Sequence, residues 1–153
     1  MWVEQVLGNV ADGLALMPGP ADFLDVSWGQ CGRMLKSRTR QGHPIRVLLP
    51  PGSHMRHGDV LVDNDDRRVI VNVLPCEVIV ARPASFGDMT LLCLEMGNLH
   101  CPAQITESEV IFIEEGRPLA VLEQLQISWS RECRRFEPIP ISASVRRSIT
   151  ENA

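Results

Sequence analysis

The chain has 153 residues, of which 44% are hydrophobic and 22% are charged, and its formal net charge is −4. This composition is typical of a globular protein that is long enough to bury a core. It argues against a membrane-spanning helix, because no apolar run approaches the roughly 18 residues that such a helix needs. The acidic balance does not favour a nucleic-acid binder. The opening stretch MWVEQVLGNVADG has no basic region before an apolar core, so we expect no secretory signal and a cytoplasmic protein.

The cysteines do not suggest a disulfide framework or a zinc knuckle. Cys31, Cys76, Cys93, Cys101 and Cys133 are odd in number, widely spaced and without a C-x-x-C pair. Reduced thiols in the cytoplasm fit this pattern better, and most of them are expected to be buried as small apolar side chains.

Residues 1–75 are predicted to form a β-rich N-terminal domain. Short apolar runs bounded by Gly, Pro, Asn and Asp are spaced as in a small sandwich or barrel. These runs are WVEQVL, FLDVSW, PIRVLLP, DVLVD and RRVIVNVLP. The sequence 64–66, Asn-Asp-Asp, predicts a hairpin turn between the last two. His43, His54 and His57 are expected on surface loops, with an auxiliary metal site at His54 and His57 as the alternative.

Residues 76–140 show a different pattern. CEVIVARP is typical of a buried strand, and Phe86–Leu99 follows with apolar residues at helical spacing. Gly97 or Asn98 is expected to end that helix, because either residue tolerates a left-handed conformation. Residues 104–113 predict strand with a bend at 106–108, residues 118–126 predict a second helix, and ISWSRECRRFEPI predicts a closing strand.

This order of elements, strand–helix–strand–strand–helix–strand, indicates a ferredoxin-like domain over residues 76–140. The fold class is therefore α+β, with the β-rich domain first and the ferredoxin-like (βαββαβ) domain second. Residues 141–153 are expected to form a flexible tail.

His100 lies in the stretch EMGNLHCPAQI, just after the first predicted helix. Its imidazole could cap helix carbonyls, bind a metal ion, or act as a base for Cys101. The last alternative is disfavoured, since adjacent side chains on an extended segment point to opposite sides. A metal role requires ligands from elsewhere in the chain or from a second subunit. Glu114 and Glu115 are expected to complement the dipole of the second helix, with a carboxylate metal ligand as the alternative.

A small basic cluster lies near the end of the second domain. Arg131, Arg134 and Arg135 are interleaved with Glu132 and Glu137. We interpret this cluster as a solvated strand face or a protein contact, because RNA binding usually needs a basic stripe.

The stretch EMGNLHCPAQI resembles the signature E-[LIM]-G-N-x-H-x-P-x-x-I of the urease accessory nickel chaperones of the UreE type. HGDVLVDNDDRRVIVNVLPCEVIVARP resembles the family's R-x-G-D-V-L segment, its hairpin and the run into the first C-terminal strand. LAVLEQLQISWSRECRRFEPI resembles the second helix and a closing strand that ends in F-x-P. The resemblance covers most of residues 20–140.

The resemblance implies a nickel-binding chaperone, not an enzyme, that delivers Ni²⁺ to the urease assembly complex. It implies a homodimer formed through the C-terminal domains, in which His100 of each subunit holds one shared ion. The implied partners are the urease apoprotein and its other accessory proteins, including the GTPase, without nucleic acid or membrane.

The sequence departs from the family pattern in its other candidate ligands. Many relatives carry further histidines before the second helix or in the tail, where this chain has none. Glu114 or Glu115 would take their place, and Cys101 would add a thiolate or bias the site toward Zn²⁺ or Cu⁺. Leu99 stands where an Arg is common. The alternative function is a protein-interaction module in metalloenzyme maturation that binds no metal.

Overall fold

A computed structural model describes residues 1–16, 18–114 and 116–139 of the chain. The chain forms two compact units that divide between Leu74 and Pro75. The predicted mixed α+β class is confirmed, with strands in both units and α-helices in the second. The predicted tail at 141–153 lies outside the described residues. No helix in the described part of the chain is long and apolar enough to cross a membrane.

The first unit is built from two sheets. A three-stranded sheet has the order β1-β5-β4, and a four-stranded sheet has the order β2-β6-β7-β3. The pairs β1–β5 and β3–β7 are parallel, and the other neighbours are antiparallel. The strands are β1 (Trp2–Val3), β2 (Gly8–Asn9), β3 (Ala21–Val26), β4 (Met34–Arg38), β5 (Pro44–Leu48), β6 (Asp59–Asp63) and β7 (Arg68–Val73), with single 3-10 turns at Val10–Asp12 and Trp28–Gln30.

These strands follow from alternating apolar residues. In β7 every second residue is buried, namely Val69, Val71 and Val73, and these residues pack in the core with Leu24 and Val26 of the parallel neighbour β3. A strand directs successive side chains to opposite faces, so this alternation fixes which side of the sheet is buried. The core lies where the apolar sides of the strands meet.

The predicted hairpin turn between β6 and β7 is confirmed. Asn64 N donates to Arg67 O at 3.1 Å, and the Asn64 side chain accepts from the backbone N–H groups of Asp66 and Arg67. An Asn side chain that bonds backbone two residues ahead is a common way to close a turn. Strands β2 and β4 were not predicted. β4 is an edge strand without a fully buried residue, so its sequence MLKSR lacks the apolar signal.

A buried carboxylate joins the turn between β4 and β5 to strand β3. The side chain of Asp22 is only 3% exposed and accepts hydrogen bonds from the backbone N–H groups of Phe23 and Gln41. His43 Nδ1 lies 3.2 Å from Asp22 Oδ2. The sequence did not identify this partner of His43, because Asp22 is distant in sequence.

The second unit is a four-stranded antiparallel sheet with the order β11-β8-β10-β9. The helices α1 and α2 fall between β8 and β9 and between β10 and β11. The predicted strands and helices of this region are confirmed within about two residues at their ends, except that the closing strand, predicted to run to residue 139, ends at Arg134. The elements are β8 (Cys76–Arg82), α1 (Phe86–Asn98), β9 (Gln104–Ile105), β10 (Val110–Phe112), α2 (Gly116–Gln124) and β11 (Ser128–Arg134).

Both helices contribute to one apolar core with a single face of this sheet. Ile79 and Ala81 of β8 belong to this core together with Leu92 and Met96 of α1 and Leu122 of α2. All five are at most 2% exposed, so the two helices and the sheet bury their apolar surfaces against each other. Because α1 is fixed to the sheet in this way, the position of its last turn is fixed as well.

After β11 the chain returns to the segment that follows α1. Phe136 is buried, Glu137 N donates to the Gln104 side chain at 3.1 Å, and Ile139 N donates to Ala103 O at 3.0 Å. The connection between α1 and β9 is therefore held from both sides, by the helix that precedes it and by residues 136–139.

Candidate metal-binding site

Helix α1 begins and ends with identifiable caps. At its start, Ser85 Oγ accepts from Asp88 N at 3.1 Å, which satisfies one of the free N–H groups of the first turn. At its end, His100 N donates to Gly97 O and Cys101 N donates to Met96 O, both at 3.0 Å. This pair of bonds is the Schellman motif.

The left-handed residue of this motif is His100, with φ of 52°. The prediction that Gly97 or Asn98 takes this conformation was wrong. Leu99 is still helical in its dihedral angles, so the reversal occurs later than the sequence suggests. The physical reason is the packing of the next residue, since Cys101 and Leu99 both contact the core of the second unit.

The side chain of His100 is exposed to solvent, whereas its neighbours are half-buried. Among the residues that the structure describes, its ring makes no hydrogen bond. The predicted capping of helix carbonyls by the imidazole is therefore not observed, because backbone N–H groups satisfy those of Met96 and Gly97. Both ring nitrogens are available for a ligand from outside the chain.

Cys101 does not share the exposed side with His100. Its side chain is half-buried, its Sγ lies 3.6 Å from Pro102 O, and it packs against the core of the second unit.

Glu114 is held by an arginine. Arg131 donates to both of its carboxylate oxygens, from Nε at 2.9 Å and from Nη2 at 2.6 Å. These hydrogen bonds hold the pKa of Glu114 below its usual value and outweigh burial, which acts to raise it. As a metal ligand it would have to leave this pair. Glu115, the other predicted carboxylate, lies outside the described residues.

Within residues 1–16, 18–114 and 116–139, no three His, Cys, Asp or Glu side chains come together as a metal site. In the first unit, His43 pairs with Asp22, and His54 is exposed at the edge of a shallow groove of about 350 Å³. The predicted alternative of a metal site at His54 and His57 gains no third ligand from the described residues. A single described chain thus offers His100 as an isolated, exposed imidazole.

The exposed residues of α1, next to His100, are uncharged, whereas its charged residues Asp88 and Glu95 are half-buried. Phe86 is 87% exposed, Leu91 49% and Leu94 58%. Every exposed residue of this helix is uncharged, and the full set is Phe86, Gly87, Thr90, Leu91, Leu94, Gly97 and Asn98. This surface was not predicted from the sequence. Leu92 and Met96 define the buried face of the helix, and Leu91 and Leu94 do not lie on that face. Their positions would have indicated an apolar exposed surface.

The basic cluster on β11 is neutralised by carboxylates. Arg134 contacts Glu132 at 2.6 Å and Glu109 at 2.8 Å, and Arg82 of the neighbouring strand contacts the same two carboxylates. These pairs confirm the interpretation of a solvated strand face for Arg134.

The fold and the candidate site together define a protein with a β-rich unit and a helix-covered antiparallel sheet that presents one exposed histidine at a helix end. No protein-family model matches the sequence. Individual relatives do. A urease accessory protein UreE from Bacillus cereus is 32% identical over 117 residues, which cover 76% of this chain and 77% of that protein.

Other relatives carry the same name. A urease accessory protein UreE from Geobacillus kaustophilus is 29% identical over 137 residues, or 90% of this chain and 93% of that protein. One from Flavobacterium johnsoniae is 30% identical over 92 residues, and the match spans 56% of its length. The chain belongs to the UreE family of urease accessory proteins.

Proposed function

We propose that this protein is a nickel chaperone of urease maturation that works as a homodimer and is not an enzyme. Its membership in a family named for urease accessory proteins supports the pathway. The proposed partners are the urease apoprotein and its other accessory proteins, including the GTPase, and the proposed location is the cytoplasm. The second unit, with its sheet order β11-β8-β10-β9, is assigned to the ferredoxin-like arrangement.

The observation that carries this proposal is the exposed, isolated imidazole of His100. Imidazole is a good ligand for Ni²⁺, but one imidazole does not make a tight site. A two-fold axis beside His100 would supply the partner subunit's His100 and turn one ligand into two. Water or mobile carboxylates would complete the coordination, which leaves the ion exchangeable, as delivery requires.

The uncharged surface of α1 supports this arrangement. A helix in a soluble protein usually exposes charged residues, and an apolar exposed face favours contact with another protein. Leu91 and Leu94 lie on the same helix that ends at His100. A second copy that packs on this surface would bring the two imidazoles close together.

In this proposal Cys101 and Glu114 are auxiliary ligands. Cys101 is half-buried and Glu114 is paired with Arg131. Each would have to move or change its partner to reach an ion at His100. Soft ions such as Zn²⁺ or Cu⁺ would gain more than Ni²⁺ from the thiolate of Cys101.

Nickel titration of the full-length protein tests the proposal. By calorimetry at pH 7, with the oligomeric state followed by sedimentation, the native chain is expected to bind about one Ni²⁺ per dimer. His100→Ala should abolish tight binding, because it removes both proposed imidazoles while leaving the core untouched. His54→Ala is the matched control, since it removes another exposed imidazole in the first unit.

Unchanged stoichiometry and affinity in His100→Ala would refute the assignment of His100. A native chain that binds no nickel would instead support a protein-interaction module in metalloenzyme maturation.

A further inference from the structure

The helices of the second unit end in the same way. In α2, Gln126 N donates to Glu123 O at 3.2 Å and Ile127 N donates to Leu122 O at 3.0 Å. These bonds repeat those made by His100 and Cys101 at the end of α1, so α2 also closes with a Schellman motif.

In both motifs the left-handed residue is not glycine. His100 has φ of 52° and Gln126 has φ of 56°, and these are the described non-glycine residues with positive φ. Glycine is the usual residue at this position because its missing Cβ avoids a steric clash. Any other residue there is strained, although His tolerates the conformation better than most. The fold therefore carries a strained backbone at the proposed metal ligand.

The residues on either side explain why this backbone conformation matters for the imidazole. Leu99 and Cys101 both contact the core, whereas His100 is exposed. The change of backbone direction at His100 lets the chain bury both neighbours and still direct one side chain outward. An imidazole at another position near the helix end would point in a different direction.

We propose that the left-handed backbone at position 100 is the positioning element of the nickel site, kept at a cost in stability. This inference rests on the proposed function for its metal part. Glycine at position 100 would give a more stable helix end but no ligand. Gln126, which has no ligand role in the proposal, occupies the equivalent strained position in α2 and serves as an internal reference.

The first measurement is thermal unfolding of the metal-free, full-length protein. His100→Gly and Gln126→Gly should each raise the melting midpoint, by up to roughly 4 °C, because each removes a Cβ from a left-handed residue. His100→Ala keeps a Cβ at the strained position and should show no such rise. A His100→Gly variant that melts no higher than His100→Ala would overturn the claim of strain.

The second measurement is nickel affinity at equal protein concentration. Gln126→Gly should bind like the native chain. The double variant Asn98→His, His100→Gly keeps one imidazole on the exposed surface of the same helix end, since Asn98 is exposed. It should lose affinity by at least tenfold, because its imidazole is not carried by the left-handed residue. Native-like affinity in the double variant would overturn the positioning role.

These outcomes separate this inference from the proposed function. If His100→Ala binds nickel normally, His100 is not the nickel ligand of the proposed function, whatever the melting data show. If His100→Ala loses nickel and the double variant keeps it, His100 is a ligand but its backbone conformation is not the positioning element.

Discussion

The two units of this protein hold their carboxylates in different ways. In the first unit, Asp22 is buried and is bound by backbone N–H groups of Phe23 and Gln41. In the second unit, Glu132 lies on the sheet surface between Arg82 and Arg134. A buried hydrogen-bonded group is costly to disrupt and little affected by salt, whereas surface ion pairs contribute little and are screened. Each unit is therefore expected to respond to a different perturbation.

The largest effect is expected from Asp22→Ala. This change leaves the backbone N–H groups of Phe23 and Gln41 without their acceptor, and it removes the contact with His43. We expect a loss of about 2 kcal/mol in the free energy of unfolding of the first unit. Urea denaturation followed by NMR signals of each unit measures it. The matched control is Asp25→Ala, which removes a more exposed carboxylate from the same strand and should cost less. Equal losses in both variants would contradict the role of burial.

Lowering the pH is expected to destabilise both units through these two carboxylates, Asp22 and Glu132. Burial raises the pKa of Asp22, but hydrogen bonds from Thr39, His43 and the backbone outweigh this and lower it. The hydrogen bond from Arg82 is the main cause that lowers the pKa of Glu132 to about 2. Because both folded pKa values lie below the ordinary ones, each group stabilises its unit above the ordinary pKa. That stability is lost as the pH falls through the lowered pKa.

Unfolding measured from neutral pH down to about pH 2 checks this expectation. Asp22→Asn should weaken the pH dependence of the free energy of unfolding in the first unit only. Glu132→Gln should weaken it in the second unit only. A variant that flattens both dependences, or neither, would contradict the separate roles.

The smallest effect is expected from Arg134→Ala. It removes ion pairs with Glu109 and Glu132 that lie at the surface, so the second unit should be slightly destabilised at low salt. At about 1 M salt the difference from the native chain should vanish, because the Debye length is then only about 3 Å. A loss that persists at high salt would show that the side chain of Arg134 acts through packing instead.

Much of the second unit could be predicted because its signals are local. The helical spacing of Met89, Leu92 and Met96 predicted α1, and the β-branched run of CEVIVARP predicted β8. The end of α1 at Asn98 was predicted, but the residue that takes the left-handed conformation was not, for a physical reason. Tolerance for left-handed backbone identified Gly97 and Asn98, but the packing of Cys101 against the core decided that His100 takes this conformation.

The contacts that were missed join residues far apart in sequence. The turn between β4 and β5 brings His43 to Asp22. The folding of the second sheet brings Arg131 to Glu114, with which it forms an ion pair. No local sequence pattern predicts such pairs. The edge strand β4 escaped prediction because it buries no side chain fully. The role of His100 as a ligand came from resemblance and stays a prediction.

The return of the chain to the segment after α1 has a practical consequence for metal measurements. Ile139 is bonded to Ala103, which follows His100 by only three positions in the sequence. A histidine-rich purification tag that replaced residues 140–153 would begin at a residue hydrogen-bonded to the segment that follows the proposed nickel ligand, and it would compete with His100 for the ion. Titrations that assign stoichiometry should therefore use protein from which such a tag has been removed.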